Sequence, residues 1–151
     1  MKVYYECDND GALLDFFSIP KKDKEHSFSK GNVCNSLSKN TGVIGLVDED
    51  SGTQQPSYIA GLGNPFAANH GIKVFNDIPN NNKIVMLCPR LEEWLYSVAK
   101  ANNINPVDFG LPHTPNGLHS EEFRKVKTKL NDFLEALNSS KELKFLKSQL
   151  I

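Results

Sequence analysis

Gly42-Val-Ile-Gly-Leu-Val-Asp48-Glu-Asp50-Ser-Gly52 is the stretch whose reading decides the fold. Val43 to Val47 is an apolar run of strand length, and it ends abruptly in two acids separated by one residue. Side chains alternate faces along a strand, so positions two apart point the same way. That geometry places Asp48 and Asp50 side by side at the strand's carboxyl end, where open α/β sheets hold their ligands. Two like charges so close repel, and the repulsion lifts a pKa unless a cation or hydrogen-bond donors lie between them. Magnesium, a hard ion that takes oxygen ligands, suits such a pair. An acidic turn after a buried strand accounts for the same residues, and the stretch alone does not choose between the two.

Upstream, Lys2 to Cys7 is β-branched and aromatic and reads as a first strand, with Tyr4 and Glu6 on one face. It runs into Asp8-Asn-Asp10-Gly, which can cap a helix carrying Leu13, Leu14, Phe16 and Phe17, and Pro20 ends that helix. Glu25 to Phe28 reads as a short strand, followed by Ser29-Lys30-Gly31-Asn32 and a helix with Val33, Cys34 and Leu37. Downstream, residues 51–71 read as a long loop with one helical turn, and loops of that length in compact domains are commonly functional. Ile72 to Phe75 and Lys83 to Cys88 read as strands, and Leu91 to Ala101 as a helix. Val107 to Gly117 reads as loop, Ser120 as the cap of an amphipathic helix with Phe123, Val126, Leu130, Phe133, Leu134 and Leu137 in its stripe, and a last helix starts near Ser140. The order predicts one α/β domain over 1–151: an α/β core over 1–101, with a partly parallel central sheet of about four strands flanked by helices, and C-terminal helices over 119–151.

The apolar share of 39% and charged share of 23% are those of a soluble globular chain, and a net charge of −1 supplies no field that gathers polyanions or membrane. Cys7, Cys34 and Cys88 are odd in number and far apart, which points to reduced thiols and a cytoplasmic location. No window approaches membrane-spanning length. His113 and His119, six residues apart, match no standard zinc spacing, and His26 and His70 are isolated. The lysines of the C-terminal helices alternate with acids and read as a solvated face.

Glu6 is a further acid near the end of a strand, and beside a strand ending in Asp48 and Asp50 it completes a cluster that is costly without a cation. Glu6-Cys-Asp-Asn-Asp10 followed by Asp48-Glu-Asp50 resembles the Toprim domain of topoisomerases, primases, OLD-family nucleases and RNA-maturing nucleases. That family carries Glu-Gly-x-x-Asp after its first strand and Asp-x-Asp after its third; here Cys7 replaces the glycine. Ser29-Lys30-Gly31-Asn32-Val33 is similar to the turn after the second strand in OLD-like members. Pro89-Arg-Leu-Glu92-Glu-Trp94-Leu95 is similar to a segment of small stand-alone prokaryotic Toprim-like proteins, so the resemblance spans residues 2–96.

The resemblance implies a Toprim-like Rossmannoid fold and magnesium- or manganese-dependent hydrolysis of nucleic-acid phosphodiesters. In it Glu6 is a general acid/base or a ligand at the metal's edge, and Asp48 and Asp50 bind the ion. Asp10 caps the following helix or supports Glu6. Glu92 either complements a helix dipole or adds to a second metal. Lys30 with the Gly31 backbone either meets a phosphate at a helix N-terminus or lies in an exposed loop. The reading from a different class is a non-catalytic interaction module that regulates a partner. With little basic surface, either reading expects a homodimer or a larger protein partner.

Overall fold

The computed structural model describes residues 1–151. Its strands are β1 (Val3–Tyr5), β2 (Lys24–His26), β3 (Ile44–Asp48), β4 (Ala67–Asn69), β5 (Ile72–Asp77) and β6 (Asn82–Leu87). Its helices are α1 (Asp8–Phe16), α2 (Lys30–Lys39), α3 (Ser57–Ala60), α4 (Leu91–Ala101), α5 (Pro115–Ser120), α6 (Phe123–Leu137) and α7 (Lys141–Leu150). All six strands form one sheet in the order β2-β1-β3-β6-β5-β4. β2, β1, β3 and β6 run parallel, and β5 and β4 extend the sheet antiparallel.

The expected sheet of about four strands is therefore corrected to six, and it is partly parallel as expected, with four parallel strands and two antiparallel ones. β4, Ala-Ala-Asn, has no strand propensity of its own and exists because β5 offers it an edge to pair with. Two other readings change. The segment 107–117 holds a 3₁₀ turn over Pro106–Phe109 and the start of α5, whose Pro115 follows the capping Thr114. Ser120 ends α5 instead of capping α6, which starts after Glu122.

Period-two alternation divides the sheet between two layers. Val3, Ile44, Leu46, Val74, Val85 and Leu87 face a core of 26 buried residues shared with α1, α4, α6 and α7. Tyr4, Val43, Val47, Phe75, Ile84 and Met86 face a smaller core of 10 with α2 and α3. Gly45 allows α2 its close seat, because a Cβ there would come within 2.8 Å of Val33 and 2.9 Å of Ile84. The C-terminal leucine stripe is spent inside the larger core, where Leu130, Phe133, Leu137, Leu143 and Leu146 are all buried. No helix is long and apolar enough to cross a membrane.

The connections fix where a ligand would sit. From β1 the chain crosses to β2 on one side, and from β3 it continues toward β6 on the other. The carboxyl ends of β1 and β3 thus flank the point where the winding reverses, which is where open α/β sheets leave a crevice.

Candidate active site

Glu6 follows β1 and Asp48 ends β3, neighbouring parallel strands in the register Tyr5–Leu46, so both acids lie at that crevice. The Glu6 carboxylate accepts the Asp48 N–H at 2.6 Å. Asp48, buried, accepts the N–H of Leu91 at 2.9 Å, tying the end of β3 to the first turn of α4. Asp10, fully packed, accepts the N–H groups of Glu6 at 3.2 Å and Cys7 at 3.1 Å and so caps α1, the supporting role expected for it. Glu92, only 1% exposed, takes the amide of Asn9 at 3.2 Å and stands 3.3 Å from the His119 ring. It is a buried acid facing the cluster, more than a complement to its helix dipole.

Asp50 departs from expectation. β3 ends at Asp48, and Asp50 turns into the left-handed region at φ 52°, so strand alternation no longer governs it. Its carboxylate pairs with the Lys30 ammonium at 3.2 Å. The same ammonium donates to the Glu49 carbonyl at 2.9 Å and the Gln55 side chain at 3.1 Å. Lys30 is consequently a buried tie that holds the turn after β3, while Gly31 stays exposed in the first turn of α2. Ser29 caps that helix by accepting the Asn32 N–H at 3.0 Å.

The electrostatics follow from burial. It lifts the carboxyls of Asp48, Asp10 and Glu6 above their usual range, and the neighbouring acids lift all three further. Main-chain N–H groups oppose the rise, from Leu91 at Asp48, from Cys7 at Asp10 and from Asp48 at Glu6. The Cys7 thiol is pushed far up, first by burial and then by Asp10, which leaves it a neutral, inert group.

Three buried side-chain atoms in the whole molecule lack a hydrogen-bond partner: Asn9 Oδ1, Asp10 Oδ1 and Glu92 Oε2. All three are oxygens, and all belong to this cluster. Unpaired buried acceptors are rare because each forfeits its solvation, and an ordered water, a cation or, at a carboxyl, a proton satisfies them. A cleft of about 150 Å³ lies against Asn9 and Glu92 but not Asp10, and it is lined further by Cys7, Asp8, His119, Glu121 and Phe123. The donor set is oxygen-rich and suits a hard divalent ion. The carboxylates do not stand as a preset group of three around one point; Glu6 and Asp48 are turned to main-chain donors instead. A roomier cleft of about 230 Å³ lies at the opposite, amino end of the strands, walled largely by Met1, Phe17, Ile19, Ile44, Leu150 and Ile151, and it gathers no acids comparable to these.

Sequence reasoning brought Glu6, Asp48, Asp50 and Glu92 to this end of the sheet. It missed Asn9 and His119. Asn9 carried a faint signal, a polar residue on the buried side of a helix between two acids; His119 carried none, because α5 reaches Glu92 through tertiary packing. Set against protein-family models, curated proteins and solved structures, the chain matches none of them.

Proposed function

We propose that this chain is a Toprim-like, magnesium- or manganese-dependent nuclease that hydrolyses nucleic-acid phosphodiesters at the Glu6–Asp48 crevice. The observation that carries the reading is the coincidence of the three unpaired buried oxygens with two strand-end acids at the winding reversal of the sheet. Asp48, Asp50, Glu92 and Glu6 are the residues that would hold the ion, and Asp10 orients Glu6 through its N–H. When bound, the ion neutralises charge on the phosphoryl oxygens and acts as a Lewis acid. Glu6 moves the proton: its carboxyl is half-buried and is oriented by the Asp48 N–H at 2.6 Å, which sets it toward an attacking water or leaving oxygen. The turn held by Lys30 keeps Asp50 near the crevice. Because the net charge is −1, a bound ion has to bridge protein and phosphate, and a homodimer or larger protein partner would add the grip on a long strand.

The assay is nicking and exonuclease activity on single-stranded, duplex and RNA substrates with magnesium or manganese. Glu6→Gln is expected to lower turnover about 10²–10⁴-fold, the size of general acid/base assistance, with metal binding largely kept. Asp48→Asn is expected to weaken metal binding, with partial rescue at high manganese. Full activity in Glu6→Gln refutes the assigned role.

A second reading, a non-catalytic interaction module, is favoured by one arrangement. The carboxylates of Glu6 and Asp48 already hold main-chain N–H groups, and Asp50 already holds an ammonium, as in a purely structural network. A normal melt that does not shift at millimolar metal, with no turnover in any substrate, selects that reading.

A further inference from the structure

Beside the acidic cluster stands an aromatic column that the proposed chemistry does not use. Tyr5, at the end of β1, stacks on His26, at the end of the edge strand β2, with ring centroids 5.1 Å apart and planes within 8°. His26 in turn stacks on Phe28 at 4.0 Å and 25°. Tyr5 and His26 are half-buried, whereas Phe28 is 76% exposed and offers its outer face to solvent. A phenylalanine gains nothing from that exposure, and its backbone at φ 71° lies in a region that a bulky side chain rarely enters. The column is fixed to the site by two contacts: the His26 Nε2 lies 2.9 Å from the Glu6 carbonyl, and the Ser27 N–H donates to the Tyr5 carbonyl at 2.8 Å. Its top therefore keeps a set position relative to Glu6.

The geometry points to Phe28 as a stacking platform for an unpaired nucleobase of the nucleic acid whose phosphate meets the Glu6–Asp48 crevice. This inference rests on the nuclease reading for the identity of its ligand. An aromatic face takes any base, so the platform favours single strands over sequence, and each stacked base adds affinity without adding charge. That suits a site of net acidity, where electrostatics cannot gather the strand. β2 is the outermost strand on this side, so no further strand obstructs approach to the ring.

The test is equilibrium binding, with calcium as the bridging ion, of a short single-stranded oligonucleotide and an abasic strand of equal length and charge. Wild type is expected to prefer the base-bearing strand by roughly tenfold to a hundredfold, the range of one base–aromatic stack. Phe28→Gly, which suits the positive φ and leaves the buried core untouched, is expected to bind both strands at the abasic level. Phe28→Leu, which keeps apolar bulk without a ring, is expected to behave like it. Phe28→Trp is expected to keep the preference and to lose fluorescence on binding, a clean signal because the native Trp94 is buried. Equal binding of the two strands by wild type, or an undiminished preference in Phe28→Gly, overturns the platform. Cleavage lost in Glu6→Gln with no effect of Phe28→Gly on base preference leaves the nuclease and removes the platform. A base preference that depends on Phe28, without turnover, leaves the platform and removes the nuclease.

Discussion

The two ends of the parallel strands each bury an asparagine beside an aspartate, and the two are satisfied differently. At the amino end, Asn82 accepts the Val43 N–H at 3.0 Å and donates to the carbonyls of Leu37 and Asn40, each at 2.9 Å. Tyr58 joins Asn82 at 3.3 Å to Asp77 at 2.6 Å, and the Asn80 amide also donates to Asp77 at 2.9 Å. Every buried polar side-chain atom there has a partner. At the carboxyl end, Asn9, Asp10 and Glu92 each leave one oxygen without any. The same chain completes one network and leaves the other open, so the open one is a property of that place and not of loose packing. The first is a structural staple; the second is where the proposed ion would find its oxygens.

The sharpest way to break this contrast is to substitute both ends and compare unfolding in urea without divalent ions. Asn82→Ala strands the Val43 N–H and takes a donor from the Leu37 and Asn40 carbonyls, the first of which keeps the Asn40 N–H, and is expected to cost about 2–4 kcal/mol, given about 1–3 kcal/mol per unpaired buried group. Asp48→Asn keeps an acceptor for the Leu91 N–H and relieves repulsion, so metal-free stability is expected to hold or rise. A large loss in Asp48→Asn would place the acidic cluster among the structural staples.

A smaller effect is pH dependence, which has opposite signs at the two ends. Asp10 and Asp48 bind protons more readily in the folded chain than their ordinary value near 3.8 implies for the unfolded one, by burial and then by neighbouring acids. Folding then takes up protons, so their contribution is full in acid and falls as pH rises from that value through the raised folded ones. Asp77 is the reverse: burial raises it, but hydrogen bonds from Tyr58 and Asn80 outweigh burial and hold it below its ordinary value. Its contribution is present above the unfolded pKa and is lost as pH falls through the folded one. In chelator, wild type is expected to lose stability relative to Asp48→Asn between pH 5 and pH 8. A constant difference contradicts the assigned repulsion.

How much of this contrast was legible in advance depends on which force set each part. The strand-end positions of Glu6 and Asp48 were readable because period-two alternation and an apolar run define β1 and β3 locally. The placement of Asp50 was not, because the strand stops two residues before it and the left-handed turn hands it to Lys30. Lys30 read either as a phosphate contact at a helix N-terminus or as an exposed loop lysine, and it is neither: its ammonium is taken up by the 49–55 turn. Glu92 was visible as an acid in a helix's first turn that either met the dipole or a second metal; its burial was not, since it depends on Asn9 of α1 and His119 of α5 closing over it. β4 was invisible because its strand character comes entirely from β5.

The smallest predicted effect sharpens the role of that turn. Lys30→Met removes an ion pair with a partly exposed partner and two donations, and is expected to cost about 1 kcal/mol. Hydrogen exchange should localise the loosening to residues 49–55, and an unchanged exchange pattern there contradicts the tie.

The central claim is that the carboxyl-end cluster is open because it takes a divalent ion. Thermal melting of wild type, Asp48→Asn and the Glu92→Gln variant across a magnesium and manganese titration tests it most directly. A ligand bound only by the folded chain adds stability by mass action, about 2.7 kcal/mol at a hundred times its Kd. The account predicts a melting temperature that climbs with either ion in wild type and a markedly weaker response in both variants. An unmoved wild-type melt at millimolar metal, or an equal shift in all three proteins, contradicts it.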